Sequence, residues 1–448
     1  MLESGEIDLF RSMTIIGIIL GLSCISANAQ IDRISVADGG VEANGGSDQP
    51  TVSDNGQVIA FRSNASNLVA GDTNGWSDVF VRNLSAGTTA IVSLQPDGSE
   101  TPDFSSRPSI SDDGRFVAFE GKSPVNNQIQ AALADLQNGT VVHLLPREEN
   151  NVPVPAHQAQ VELEISGNGQ FVGLRSRDTF SDVWPPSIRP PADDQNSAFD
   201  VFVYDRVTAP TPALERISRD SAGSGSDADS RRPALSDDGR FVAFMSYSEI
   251  LSSDGNNRPD IFVKDRQTGV LERISTPDGV VVADGASFNP AVSADANVVA
   301  FRSEATNLVS GDSNGRWDIF ARVRSSATTE RISMASDGAQ ANHNSLEASV
   351  SDDGRFVAFR SMASNLVAGD NNRRDDIFVH DRDTDQTVRV GQPAGGESNG
   401  HSANPKISGN GAWIVFVSEA SNLVAGDDNA SRDVFRAANP LFATRAGE

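Results

Sequence analysis

Pairs of aspartates with an asparagine between them recur along the chain in the spacing D-x-N-x-x-x-D. They occur in stretches such as NLVAGDTNGWSDVFV (67–81) and NLVSGDSNGRWDIFA (307–321), just before a short apolar run. The letters between the three residues vary while the residues themselves recur, which indicates a shared role. The six copies are Asp72/Asn74/Asp78, Asp194/Asn196/Asp200, Asp254/Asn256/Asp260, Asp312/Asn314/Asp318, Asp370/Asn372/Asp376 and Asp427/Asn429/Asp433.

Two kinds of chemistry fit this motif. Calcium binds six to eight oxygens, and alternating carboxylate and amide side chains in a turn can direct several oxygens to one point. Each copy offers two carboxylates and one amide, so water or a second loop would complete the shell. Zinc, copper and iron are not predicted, because the only cysteine is Cys24 and the five histidines show no ligand spacing. Alternatively, these side chains tie turns by bonding backbone amides of their own loops.

A tight-turn motif, most often Ser-Asp-Asp-Gly, sets the length of the repeat. Its seven copies begin at the serines 53, 111, 166, 236, 293, 351 and 408. The interval is therefore 55 to 58 residues, apart from one of 70 that contains an insertion. A fixed period of this size predicts a propeller or a solenoid.

Each repeat contains four short segments rich in Val, Ile and Phe, separated by turn residues, which is typical of strands. In the strand segment 356–361 both faces carry apolar residues, as expected for a sheet packed between two other sheets. The sequence therefore predicts an all-β, seven-bladed β-propeller with blades of four antiparallel strands.

The two ends of the repeat array predict how the ring closes. The segment 31–35 (IDRIS) matches fourth-strand segments such as ERIS (330–333), while the last repeat stops after its third strand, DVFR (433–436). The N-terminal strand is therefore expected to complete the last blade, which removes the open edges of a linear array.

Several of these segments resemble the WD40-like repeats of TolB-type β-propellers. They are SDDGRFVAF (111–119 and 351–359), DIFV (260–263 and 376–379) and the ERIS strands, and the resemblance extends over nearly all of the chain after residue 29. It implies the propeller fold. The family's Ser-Pro-Asp-Gly turn is Ser-Asp-Asp-Gly here, and the N-terminal α/β domain of TolB is missing, so a role in the Tol system is not carried over.

Charge and the N-terminal segment indicate the compartment and exclude some partners. The chain has 36 basic and 61 acidic residues, a net charge of −25, which argues against nucleic acid and anionic membranes as partners. Arg11, the apolar run 15–22 and the triplet Ala27-Asn28-Ala29 have the layout of a secretory signal peptide. We expect a signal peptide at 1–29, one propeller domain at 30–448, and a monomeric, periplasmic or secreted bacterial protein without a membrane span.

The loops between second and third strands and those between blades leave a propeller on the same face, which predicts one loop-rich functional face. Trp184 in the long insert 179–195 and the histidines His343 and His401 in neighbouring inter-blade loops are its candidate ligand-binding residues. We predict a non-catalytic scaffold for a protein or glycan ligand, with calcium in six loops. The alternative is a polysaccharide lyase or hydrolase, which a cluster of His, Arg and acidic residues at the channel mouth would favour.

Overall fold

The computed structural model describes residues 30–122, 129–144, 162–176, 198–207, 213–219, 226–248, 250–251, 255–278, 282–394 and 396–442. Within these ranges the chain forms 28 strands and no α-helix. None of the described segments is therefore a helix that could cross a membrane.

The strands alternate with turns along the whole described chain. In order they are β1 Ile31–Arg33, β2 Ser47–Val52, β3 Val58–Ser63, β4 Asp78–Asn83, β5 Thr88–Ile91, β6 Ser106–Ile110, β7 Phe116–Lys122, β8 Ile129–Asp135, β9 Thr140–His143, β10 Leu163–Ile165, β11 Phe171–Ser176, β12 Asp200–Asp205, β13 Ala213–Arg216, β14 Ser230–Leu235, β15 Phe241–Ser246, β16 Asp260–Asp265, β17 Leu271–Arg273, β18 Ser287–Val292, β19 Val298–Ser303, β20 Asp318–Val323, β21 Thr328–Arg331, β22 Ser345–Val350, β23 Phe356–Ser361, β24 Asp376–Asp381, β25 Gln386–Val390, β26 Ser402–Ile407, β27 Trp413–Ser418 and β28 Asp433–Ala438.

The strands form seven antiparallel sheets of four, as the sequence predicts. Blades 1 to 6 are β2–β5, β6–β9, β10–β13, β14–β17, β18–β21 and β22–β25, and blade 7 is β26–β28 with β1. In each blade the first strand lines the central channel and the fourth lies outermost. Proline is common in the first strands, where the free inner edge has no ladder partner for an N–H.

The hydrophobic core is divided among the spaces between neighbouring blades. One such cluster contains Phe359 and Phe378 of blade 6 together with Val298 and Ile319 of blade 5. Within a blade, the middle strands pair stacked phenylalanines, as in Phe301 and Phe320 with ring centroids 6.1 Å apart. The apolar residues on both faces of each blade are therefore buried, because every blade has two neighbours.

The ring closes through the N-terminal strand, and this prediction is confirmed. Strand β1 pairs with β28 with Ile31 opposite Ala437 and Arg33 opposite Phe435. Arg436 adds an ion pair to Asp32 of β1, and its guanidinium lies 3.8 Å from the ring centre of Trp413. The first and last described segments are thus joined by backbone, ionic and aromatic contacts.

The second-to-third-strand loops and the inter-blade loops lie on one face and bond to each other. In blade 1 the Asn44 side chain accepts a hydrogen bond from the Ser66 backbone N–H at 2.9 Å. The same contact joins Asn342 to Ser364 at 3.0 Å and Asn399 to Ser421 at 3.0 Å. The polar residues of these loops therefore fix the loop-rich face as one connected surface.

Candidate functional site

The described D-x-N-x-x-x-D loops share one pattern of hydrogen bonds. In blade 5 the Oδ1 of Asn314 accepts from the backbone N–H of Arg316 at 2.9 Å, and its Nδ2 donates to Asp318 at 2.6 Å. The same pair of bonds recurs around Asn74, Asn256, Asn372 and Asn429. In each described copy the amide oxygen therefore bonds its own turn, while the amide nitrogen faces the last aspartate.

The last aspartate of the motif joins the third strand to the fourth. Asp318 accepts a 2.5 Å hydrogen bond from the hydroxyl of Ser333, whose oxygen accepts in turn from the Ile319 N–H at 3.1 Å. Burial raises the pKa of Asp318 to about 6, against the hydrogen bonds from Ser333 and Asn314. Equivalent bonds join Ser93 to Asp78, Ser218 to Asp200, Ser275 to Asp260 and Ser35 to Asp433.

An arginine of the fourth strand reaches the acidic residues of the motif in five blades. Arg331 lies 3.0 Å from Asp312, and Arg389 lies 3.2 Å from Asp370. Arg33, Arg216 and Arg273 contact Asp427, Asp200 and Asp260 at 3.7, 2.7 and 3.9 Å. The guanidinium thus supplies positive charge where the calcium interpretation places a metal ion, so these contacts favour the turn interpretation. Calcium in these loops stays a prediction.

Blade 1 lacks this arginine. The residue opposite Phe80 in its fourth strand is Ile91, whereas Arg331 stands opposite Phe320 in blade 5. Burial, with repulsion from Asp78 and Glu100, raises the pKa of Asp72 to about 6. Among the described copies, the first loop therefore has the least compensated carboxylates.

The remaining candidate residues are not brought together by any described contact. Nδ1 of His343 accepts from the backbone N–H of Asn344 at 2.9 Å, and Nδ1 of His401 accepts from the backbone N–H of Asp375 at 3.1 Å. Each histidine thus bonds loop backbone rather than the other histidine, and Nδ1 of His401 also lies 3.1 Å from a carboxylate oxygen of Asp375. Trp184, the insert 179–195, Asp194, Asn196 and Asp254 lie outside the described residues.

The central channel is the cavity that the first strands enclose, with a volume of about 510 Å³. One polar residue of each blade, four positions before the turn serine, lines it near the loop-rich face. We call these residues the mouth ring: Gln49, Arg107, Glu162, Arg232, Asn289, Glu347 and Asn404.

The mouth ring is held in a strained backbone conformation. Six of its members, all except Glu162, have φ between +52° and +58°, a region that residues other than glycine rarely adopt. In the same places the pairing of first and second strands shifts register, which marks a β-bulge. The bulge turns the side chain of an inner strand toward the channel, and such conserved geometry across blades is typical of a functional position.

Arginines and glutamates meet at the mouth in blades 2 to 4. Glu162 lies 3.3 Å from Arg232, 3.2 Å from the buried Arg175 and 3.8 Å from Arg107. The carboxylates lie beneath the cations, since the side chains of Arg107 and Arg232 are 38% and 53% exposed and that of Glu162 is 11% exposed. Burial raises the pKa of the neighbouring Glu120 to about 7, although Arg107 acts to lower it. The surface at this side of the mouth is therefore cationic.

The opposite end of the channel is narrowed by the turns that carry the repeated serine. Backbone bonds of 2.9 to 3.2 Å run from Asp54 to Asp112 and onward through all seven turns, until Asn410 donates to the carbonyl of Asp54. In each Ser-Asp-Asp-Gly turn the second aspartate caps the turn and the glycine takes positive φ, as with Asp353 and Gly354 at +71°. The first aspartate is left to line the channel floor.

Four aspartates form this floor: Asp54, Asp112, Asp237 and Asp352. None of them forms an ion pair with another described residue. Burial, with repulsion from the other floor aspartates, raises the pKa of Asp112 and of Asp352 to about 7. Oxygens of Asp112, Asp237 and Asp352 lie within 4.8 Å of one another, as do those of Glu42, Asp427 and Asp433, so both groups are close enough to hold a metal ion.

Reasoning from the sequence missed the mouth ring, although a signal for it exists. The fourth residue before every turn serine is polar or charged in all seven repeats, and a proline follows it directly in five of them. Because the seven blades are arranged in a circle, these seven residues lie in a ring at the channel mouth.

Comparisons with known proteins support the fold. No protein-family model and no curated protein matches the sequence. Among solved structures, the β-propeller domain of the Trilobed protease from Pyrococcus furiosus matches with a TM-score of 0.54 and 11% identity, over 88% of this chain and 93% of that one. An oligogalacturonate lyase in complex with manganese matches with a TM-score of 0.51 and 12% identity, over 92% and 93%.

TolB from Acinetobacter baumannii also matches, at 15% identity and a TM-score of 0.35, over 63% of this chain. The chain spans about half the length of that TolB structure, 53%. At these identities the comparisons show the fold alone: the chain is a seven-bladed β-propeller, the fold that the resemblance to TolB-type repeats implies.

Proposed function

We propose that this chain is an exported, non-catalytic propeller that binds a glycan or protein ligand at the channel mouth on its loop-rich face. The observation that carries the proposal is the mouth ring, seven polar residues lining one end of the channel, six of them at positive φ. A polar ring retained at a cost in backbone strain is better explained by a ligand than by packing. The closed chain of turns at the floor leaves the mouth as the side of access.

The proposal is tested by filling the channel without changing its charges. Ala291 lines the channel and packs in part against the core between blades 5 and 6, so Ala291→Trp is designed to narrow the channel with an indole, and a thermal melt must first show that this variant is folded. We expect residues 30–448 to bind one of three probes in calorimetry: trigalacturonate, xylohexaose or a poly-glutamate peptide. Binding should be lost in Ala291→Trp and kept in Trp76→Ala, which changes an exposed loop side chain of the same face. Binding that survives channel filling contradicts the proposal.

A second candidate is an enzyme that cleaves acidic polysaccharide. It is favoured by the arginines and glutamates at the mouth; among the described residues no histidine contacts Glu162, and His401 instead lies 3.1 Å from Asp375, which lies 3.8 Å from Arg360. One of the matching propellers is an oligogalacturonate lyase, which gives the test its substrate. Incubation with polygalacturonate, with and without Mn²⁺, should yield no unsaturated product by ultraviolet absorbance. Product formation that depends on Glu162 would establish the enzyme instead.

We also propose that calcium binds, and we now propose one site for it, the D-x-N-x-x-x-D loop of blade 1. Arginines compensate the acidic loops of blades 3 to 7, so among the described D-x-N-x-x-x-D loops the first, around Asp72, is where an added cation would relieve most repulsion. We expect millimolar Ca²⁺ to raise the melting temperature, because a ligand of the folded state stabilises it by mass action. Asp72→Asn should abolish the shift while Asp312→Asn keeps it. Equal loss in both variants would restore the six-loop prediction.

A further inference from the structure

Resting on the proposed function, we propose that the ligand at the mouth is an acidic oligosaccharide. Its carboxylates would bind the guanidinium groups of Arg107, Arg232 and Arg302. Guanidinium groups form paired, charge-assisted hydrogen bonds with carboxylates and are weakly hydrated, so they bind acidic ligands well at a surface.

Local charge is the first argument. The whole chain has many more acidic than basic residues, 61 against 36. Around the mouth, the described ion pairs instead join four arginines to four carboxylates, and a fifth arginine, Arg302, lies beside them; Glu120 and Glu162 are more buried than Arg107, and Glu162 is also more buried than Arg232. The arginines are Arg107, Arg175, Arg232, Arg302 and Arg360, and the carboxylates are Glu120, Glu162, Glu347 and Asp375. A cationic patch in an acidic protein attracts anions to one place and repels them elsewhere.

Arg302 is the second argument, because it forms no ion pair with any described residue. Its guanidinium lies 5.0 Å from the ring centre of Trp317 and 5.1 Å from that of Phe288, and its Nε is buried without a hydrogen-bond partner. Burial lowers its pKa, and the positive charges of Arg232 and Arg360 lower it further, while the carboxylate of Glu347 acts to raise it. An arginine held among other cations, with an unused donor, is best stabilised by an anion from outside.

An exposed aromatic ring stands beside these arginines. The side chain of Tyr247 is 47% exposed, and it lies near Arg302 and 5.8 Å from the guanidinium carbon of Arg231. A sugar ring can place its C–H face on an aromatic ring while its carboxylate reaches a neighbouring guanidinium. Tyr247 therefore favours an acidic sugar over a small inorganic anion.

An acidic peptide is the rival ligand, and the inner strands disfavour it. A peptide commonly binds to a sheet edge through backbone hydrogen bonds. At the mouth ring those donors are already used: the N–H of Arg107 bonds Gln49 at 2.8 Å, and that of Arg232 bonds Glu162 at 2.9 Å. The N–H of Asn404 bonds Glu347 in the same way, at 2.8 Å. The side chains of the mouth can still bind a glycan, because such binding does not need these backbone N–H groups.

The test compares pentagalacturonate with its fully methyl-esterified form in calorimetry on residues 30–448. The free acid should bind at least about tenfold more tightly than the ester, because esterification removes the negative charge that strengthens the hydrogen bonds from the guanidinium groups. Arg107→Gln/Arg232→Gln and, separately, Arg302→Gln should each weaken binding by about tenfold or more. The matched control is Arg374→Gln, an exposed arginine of a loop on the same face, which should change nothing. Thermal melts verify that each variant is folded.

The outcomes separate this inference from the proposed function. If the ester, or neutral xylohexaose, binds as well as the acid and the arginine variants have no effect, acidic recognition is wrong, while loss of that binding in Ala291→Trp keeps the site. If a poly-glutamate peptide binds more tightly than pentagalacturonate, the inference is wrong as to ligand class. If no probe binds, both proposals fail.

Discussion

The two ends of the channel are built from the same seven strands and differ in almost every chemical respect. At the floor, backbone bonds join neighbouring turns in the same way around the whole ring, and the side chains are small or acidic. At the mouth, the bulge is repeated but the residue on it changes from blade to blade, with arginine and glutamate concentrated in blades 2 to 4. At the floor, the backbone bonds between turns are repeated in every blade because they hold the ring together. At the mouth, the backbone bulge is repeated but the side chains that it carries differ.

The largest loss of stability is expected from a substitution of Glu162, at the part of the mouth that differs most from the other blades. Glu162→Gln removes the negative charge shared by three arginines, one of them the buried Arg175. Breaking a buried ion pair by removing one partner costs about 3–5 kcal/mol in the free energy of unfolding. Denaturant titration measures this loss.

Glu304→Gln is the matched control, since the ion pair of Glu304 with Arg258 is exposed and should contribute less than about 1 kcal/mol. If the two variants lose equal stability, the mouth cluster is no more than a surface ion pair.

At the floor, removing a negative charge should stabilise the protein rather than destabilise it, and the gain should depend on pH. Because the pKa of Asp352 is raised to about 7, the folded protein holds a proton that the unfolded chain releases near pH 4. Stability from this group is therefore fully present below about pH 4 and is lost as the pH rises through 7. Asp352→Asn should be more stable than the parent by about 2 kcal/mol at pH 8, and similar to it at pH 4. Melting curves of both proteins at pH 4 and pH 8 measure this difference in stability. A difference that does not vary with pH would contradict repulsion between the floor aspartates.

A smaller effect tests how tightly the floor is packed. A Cβ added to Gly167 would lie 1.9 Å from an Asp112 carboxylate oxygen, so Gly167→Ala forces that carboxylate to move. We expect a loss of about 1–2 kcal/mol, which Asp112→Ala in the same chain should restore in part, because the added Cβ would also lie 2.8 Å from Cγ of Asp237. The double-mutant cycle measures this coupling. Additive losses would show that the two residues do not share the space.

The smallest effect isolates backbone strain at the mouth. Arg232 has φ of +58°, a region that glycine adopts freely. Arg232→Gly and Arg232→Gln both remove the charge, but only glycine relieves the strain, so the glycine variant should be more stable by about 0.5–1 kcal/mol. Chemical denaturation of the two variants provides the measurement. Equal stability would mean that the bulge costs nothing.

The sequence predicts the fold well because the fold is periodic. The turn serines, the ERIS segments and the truncated last repeat are enough to derive the number of blades and the closing strand, which the structure confirms. The D-x-N-x-x-x-D motif is equally periodic, yet its spacing could not distinguish metal binding from turn formation. That distinction depends on a fourth-strand arginine such as Arg331, which strand pairing brings within 3.0 Å of Asp312.

The mouth was harder to predict, because it depends on contacts between residues that are distant in the sequence. The bulge that turns Arg107 and Arg232 toward the channel is a property of strand pairing, and their approach to Glu162 needs three blades in a ring. Neither follows from residues near one another in sequence. A polar residue at a fixed offset from each turn serine was the available trace of this arrangement.

The closing strand also determines the order in which the molecule can be completed. Ile31 leaves the ribosome long before Ala437, the residue it pairs with, so β1 has no strand to pair with until β28 has been made. Closure is then a contact between distant parts of the chain, the kind of step that makes folding slow. Until closure, the edges of β1 and of β28 are open to other strands, including those of a second copy. The last folding step is therefore a competition between intramolecular closure and intermolecular association, which concentration shifts toward association.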